Sequence, residues 1–133
     1  MVKILAVDDM LQWRNYHSSA LRVILSDVEY ELSLVESATL AFELIEQNLD
    51  EPYNLVITDL QMEEAYEPEY AGEWLARNIK LLKQYVNTPI IIVSAAYNIK
   101  FIAEQLGVDC IPKPSLIHNP ILYELKIREA LNC

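Results

Sequence analysis

Lys3-Ile4-Leu5-Ala6-Val7-Asp8-Asp9 is an apolar run that stops on two adjacent carboxylates. Three further runs repeat the arrangement. Asn54 to Thr58 leads to Asp59, Pro89 to Val93 leads to Ser94, and Cys110-Ile111 leads through Pro112 to Lys113. Short, nearly continuous apolar runs alternating with helical stretches read as strands of a parallel sheet buried on both faces. In open sheets of that kind, ligands sit in the crevice beyond the carboxyl ends of the strands. The pattern therefore gathers three carboxylates, a hydroxyl and an ammonium around one point.

Working outward, the chain alternates strand and helix throughout. A helical pattern with Trp13, Ala20, Leu21 and Ile24 on its apolar stripe runs from about Leu11 to Leu25. Tyr30 to Val35 reads as a strand, and Ser37 or Thr39 can cap a helix to about Asn48. Leu55 to Thr58 and Ile90 to Val93 are strands separated by an irregular stretch and a helix near Gly72 to Tyr85. A helix from about Asn98 is stopped by Gly107, and a short strand at Cys110-Ile111 precedes a last helix starting near Asn119-Pro120. Five βα units with right-handed crossovers predict a doubly wound, five-stranded parallel sheet in a three-layer α/β sandwich. No repeat or linker interrupts the pattern. One domain over 1–133, with no output domain attached, is the expectation.

Composition narrows the function. A net charge of -10 and the lack of any Lys or Arg between Arg22 and Arg77 argue against nucleic acid or an anionic membrane as partner. No stretch approaches a membrane span, and the run after Met1 is too short for a signal peptide. The two cysteines, Cys110 and Cys133, lack the number for a disulfide scaffold and the spacing for a metal site, so a reduced, cytoplasmic protein is expected. With only two glycines, Gly72 and Gly107, the chain lacks what a dinucleotide fingerprint or a P-loop requires.

Three clustered carboxylates repel one another and are costly to desolvate, so they take up protons or a cation. An oxygen-only donor set that retains waters suits Mg²⁺. A carboxylate beside such an ion can act as nucleophile toward phosphorus, with an ammonium and a hydroxyl holding the peripheral oxygens. In their order along the chain, Asp8-Asp9, Asp59, Ser94 and Lys113-Pro114 resemble the receiver domains of two-component response regulators, a flavodoxin/CheY-like fold. Arg14, Met62 and Ala95 add matches, and the resemblance covers essentially the whole chain. It implies that Asp59 is the phosphoacceptor, charged by a sensor histidine kinase or a phosphotransfer protein. It also implies Mg²⁺ ligation by Asp8, Asp9, Asp59 and the backbone carbonyl of Gln61, and phosphoryl contacts from Ser94 and Lys113. A cis peptide between Lys113 and Pro114 belongs to the same pattern. The implied output surface, toward a downstream protein, is roughly Asn98 to Asn132.

Two departures from that family stand out. Cys110 occupies the position of its usual aromatic, for which Tyr97 is a nearby candidate substitute. The segment Glu63-Glu64-Ala65-Tyr66-Glu67-Pro68-Glu69-Tyr70-Ala71-Gly72 is longer and more acidic than the family loop, and is expected to hang over the site and slow anionic phosphodonors. Trp13 and Trp74 read as core or half-buried helix residues, and His17 and His118 as structural or surface. The expected function is a stand-alone, phosphorylation-switched signalling module, catalytic only toward itself. The rivals are an interaction domain that works without phosphate and, more distantly, an Asp-nucleophile phosphatase. Gln61 stands where such a phosphatase would carry its general acid.

Overall fold

A computed structural model describes residues 1–133. Five strands, β1 (Val2–Val7), β2 (Tyr30–Val35), β3 (Leu55–Thr58), β4 (Ile90–Ser94) and β5 (Asp109–Pro112), form one all-parallel sheet in the order β2-β1-β3-β4-β5. The helices are α1 (Leu11–Ile24), α2 (Ala38–Gln47), α3 (Ala71–Lys80), α4 (Ile99–Leu106), α5 (Lys113–His118) and α6 (Ile121–Leu131). None is long and apolar enough to cross a membrane. The doubly wound α/β architecture read from the apolar runs is the one observed.

The strands sort their side chains by the two-residue period of a pleated sheet. Ile4, Ala6, Leu55, Ile57, Ile91, Val93 and Ile111 pack with Leu21 of α1 and with Tyr123 and Ile127 of α6. Leu5, Val7 and Val56 face the other way, onto Ala41 and Ile45 of α2 and Leu75 and Ile79 of α3. A smaller cluster of Leu60, Ile92, Ala96, Ile99 and Ile102 seats α4. Because both faces are covered, the central strands β3 and β4, and β1 from Ile4, lack a polar face and read as unbroken apolar runs.

Local signals explain the element ends. The Ser37 hydroxyl accepts the Leu40 N–H at 3.1 Å and opens α2. Gly107 closes α4 with φ 69°, a left-handed conformation that a Cβ would strain. The third helix is shorter than its apolar pattern predicts. It ends at Lys80, and a 3-10 turn over Lys83–Tyr85 follows. That turn drives Tyr85 fully into the core, where its hydroxyl donates to the Asn48 carbonyl at 2.9 Å and accepts the Tyr53 N–H at 3.2 Å.

Two further expectations are corrected. The Lys113-Pro114 peptide is not cis; the cis X-Pro bond is Glu67-Pro68. Lys113 enters a helix directly from β5, and Pro114 occupies its first turn, where a missing N–H leaves no orphan donor. That helix, α5, is an additional element before α6, in a place read as loop.

Candidate metal and phosphoryl site

Strand order reverses between β1 and β3, and the site lies at that switch point. Val7 pairs with Thr58, so Asp8 and Asp59 leave neighbouring strands at the same level. Backbone bonds hold this edge, with the Asp8 N–H donating to Val35 O at 3.1 Å and the Asp59 N–H to Val7 O at 3.0 Å. Asp8, Asp9 and Asp59 each offer a carboxylate oxygen, all within 4.8 Å of one another. Asp8 and Asp59 are buried, and Asp9 is exposed.

Each buried acid is oriented by backbone amides and faces one cation. Asp59 Oδ1 accepts the Leu60 N–H at 2.6 Å and the Gln61 N–H at 3.4 Å, leaving Oδ2 to the Lys113 ammonium at 2.7 Å. Asp8 Oδ1 accepts the Met10 N–H at 2.9 Å, and Oδ2 lies 3.0 Å from the same ammonium. That second contact has the distance of an ion pair without the alignment of a hydrogen bond, so Asp8 Oδ2 is a buried oxygen with no hydrogen-bond partner. Burial pushes the Asp8 carboxyl above the usual aspartate range, with the Asp59 charge adding to the rise and the Met10 amide and Lys113 opposing it. One ammonium between two buried carboxylates, with a third acid at the rim, leaves the cluster short of positive charge. An unsatisfied oxygen among three carboxylates fits a hard divalent cation.

The scaffold around Asp59 is tight. Thr58 Oγ1 donates to the Asp59 carbonyl at 2.8 Å. Gly72 of α3 lies so close that a Cβ there would stand 1.8 Å from the same oxygen. In a chain with so few glycines, one at the start of a helical pattern is the sequence signal for such an approach. Arg14 donates to the Asp8 carbonyl at 2.8 Å, which ties α1 to the end of β1.

Not every expected residue joins the cluster. Ser94 is fully buried at the end of β4, but its hydroxyl accepts the Ala96 N–H at 3.2 Å and bonds neither Asp59 nor Lys113. It lines a separate cavity of about 360 Å³ with Ala95, Tyr97, Lys100 and Pro114. Tyr97 is 94% exposed and does not fill the place of the missing aromatic. Half-buried Tyr70 packs on the Leu60 cluster, as does Cys110, and its hydroxyl donates to Asn98 Oδ1 at 3.3 Å. Trp13 is half-buried on α1 as expected, and the Lys113 ammonium sits 4.8 Å from its ring centroid.

The acidic segment does not hang free. The Glu63 carboxylate takes the N–H groups of Ala38 and Thr39 and, at 3.0 Å, the Thr39 hydroxyl, so it caps α2. Tyr66 stacks on Trp74 at 4.5 Å, and Glu69 pairs with Arg77. Glu64 and Glu67 remain exposed.

The chain superposes on solved receiver domains over nearly its whole length. The receiver domain of a DNA-binding response regulator from Colwellia psychrerythraea 34H matches with TM-score 0.79 and 19% identity, covering 100% of both chains. The fold is that of a response-regulator receiver domain. The chemotaxis response regulator CheY4 of Vibrio cholerae matches with TM-score 0.67 and 24% identity over 86% of this chain and 88% of its own. Response regulator Rcp1, in its Mn²⁺-bound form, gives 0.61 and 20% over 84% and 80%. No protein-family model and no curated protein matches the sequence. Identities this low establish the common architecture and leave the chemistry to the residues themselves.

Proposed function

We propose that the protein is a receiver in a two-component phosphorelay, accepting a phosphoryl group on Asp59 from a histidine kinase or phosphotransfer protein. The observation that carries this reading is the single buried ammonium of Lys113, which bridges Asp59 and Asp8 at the sheet's switch point. A structural ion pair needs one carboxylate, whereas this arrangement buries a second and leaves one of its oxygens unsatisfied. Asp8, Asp9 and Asp59, with the Gln61 carbonyl, would hold Mg²⁺, which supplies charge neutralisation at the transferred group.

The chain's own residues set the rest of the chemistry. The Leu60 and Gln61 amides hold Asp59 Oδ1, which fixes the carboxylate plane and leaves Oδ2 facing Lys113. An Asp59 oxygen attacks phosphorus, the P–N bond of the donor phosphohistidine breaks, and its electron pair leaves with the imidazole nitrogen. Lys113, already at Oδ2, stabilises charge on the phosphoryl oxygens. Ser94 would join by releasing Ala96 N and turning its hydroxyl toward the site. The signal passes by protein contact or onward transfer, through roughly Asn98–Asn132. Exposed Phe101 lies on that stretch, and exposed Tyr97 immediately precedes it.

The test is mass spectrometry after incubation with acetyl phosphate and Mg²⁺, beside Asp59→Asn. One added phosphoryl group in the parent and none in the variant is the expected result. Equal labelling of both would remove Asp59 from the role. Cys110, in place of an aromatic, favours the second reading, an interaction domain that works without phosphate. Absence of both label and Mg²⁺ binding would select it.

A further inference from the structure

We propose that Trp13 is a positioning residue for Lys113, its ring face holding the ammonium in place when the carboxylates turn away from it; this rests on the reading of Asp59 as phosphoacceptor. Lys113 is 6% exposed, and an ammonium carries three N–H donors. Asp59 Oδ2 accepts one of them at 2.7 Å, and the Asp8 carboxylate faces the ammonium as an ion pair at 3.0 Å. No other oxygen bonds Lys113, and the indole of Trp13 faces the ammonium at 4.8 Å from the ring centroid. A buried cation over a Trp face is attracted by the ring quadrupole.

The position of Trp13 is built. It lies in the first turn of α1, four residues past Asp9, with its N–H bonded to Met10 O at 3.1 Å. Tyr16 packs edge-on against it at 5.1 Å. Leu116 of α5 lies on the other side of the same shallow groove, so the helix that begins at Lys113 packs against the helix that carries Trp13.

The consequence is specific to this site. A divalent cation bound by Asp8 and Asp59 draws away both of the ammonium's counter-charges and repels it as well. A lysine stem with four rotatable bonds would then swing toward water. The indole is a neutral partner that a metal does not compete for. It keeps the ammonium beside Asp59, where phosphoryl oxygens arrive. A merely space-filling Trp13 would be replaced as well by Leu as by Phe; a cation-holding one would not.

The first measurement needs neither metal nor phosphodonor. With Trp74→Phe as background, Trp13 is the sole indole, and its emission is compared for Lys113, Lys113→Met and Lys80→Met. The expected result is a changed emission for Lys113→Met alone; no change overturns the proposal. The second measures labelling by acetyl phosphate at saturating Mg²⁺. Trp13→Phe should label within about twofold of the parent, and Trp13→Leu about fivefold more slowly, with Mg²⁺ affinity by calorimetry within about twofold throughout. Parental labelling by Trp13→Leu, or a parallel loss of Mg²⁺ affinity, overturns it. A parent that takes no label defeats the phosphoacceptor reading instead, and a Trp13→Leu that does not fold removes only the labelling comparison; the emission measurement then decides for Trp13.

Discussion

His17 shows how a residue can be structurally decisive without touching the reaction. It is buried on α1, and its Nδ1 shares a 2.6 Å hydrogen bond with the Tyr123 hydroxyl of α6. Burial, with a smaller contribution from the Lys113 charge, lowers its pKa to about 4. The imidazole is therefore neutral in the fold near neutrality, where the unfolded chain titrates near 6.5. Above about pH 6.5 neither state binds the proton and no penalty arises. As pH falls, the unfolded state is protonated first, so stability declines from about 6.5 to about 4 and levels off below that, by about 3 kcal/mol in total. Urea unfolding at pH 7, 6, 5 and 4.5 should show this decline in the parent and a shallower one in His17→Gln. Identical pH slopes would place the effect elsewhere. The sequence could mark His17 only as structural or surface, since its one partner lies 106 residues away. The clustering of the acids with Lys113 was legible because each follows an apolar run, whereas Ser94, which also ends one, stays outside the cluster. Trp13 is the half-buried helix residue its spacing predicted; what spacing could not show is the Lys113 ammonium over its ring.

The elements were legible where the period is long or the punctuation local. β2, β3, Ser37 at the start of α2 and Gly107 at the end of α4 lie where alternation and cap chemistry put them. α5 was not, because six residues at Lys113–His118 give under two turns of pattern and the prolines around Lys113 read as loop. The acidic segment was read as free charge, since composition cannot show that Glu63 reaches the amino end of α2. There it satisfies the first two orphan amides while Ser37 satisfies the next, so the three donors at that end are all paired. Removing one such acceptor costs about 1 kcal/mol. Glu63→Ala should lose about that much in chemical denaturation. Glu64→Ala and Glu67→Ala, at exposed positions, should stay within about 0.5 kcal/mol. Equal costs at all three positions would mean that general acidity, and not the cap, is what the segment contributes.

At the scale of the whole molecule, negative charge is in excess and part of it is buried at one edge of the sheet. Net charge of -10 makes the compact state repel itself, and the Asp8 carboxylate adds the cost of a desolvated charge with one unsatisfied oxygen. Such a site is held by the rest of the fold, whose three apolar clusters place it on rigid strand ends. Two different contributions would then stabilise the protein when Mg²⁺ is added. Ionic strength screens the diffuse repulsion for any salt. Ligation adds an increment that rises with the logarithm of free Mg²⁺ above its Kd, about 1.4 kcal/mol when free Mg²⁺ is ten times that Kd. For a chain of this size that increment is about 3–5 °C in Tm. Thermal unfolding in MgCl₂ and in NaCl at matched ionic strength separates the two. The Mg²⁺ excess over Na⁺ should grow with the logarithm of Mg²⁺ concentration in the parent and vanish in Asp9→Asn, a variant chosen because Asp9 is exposed and its loss disturbs no packing. A rise that is the same for both salts, or that survives in Asp9→Asn, would mean the three acids are not a metal site, and the case for phosphoryl transfer at Asp59 would fall with it.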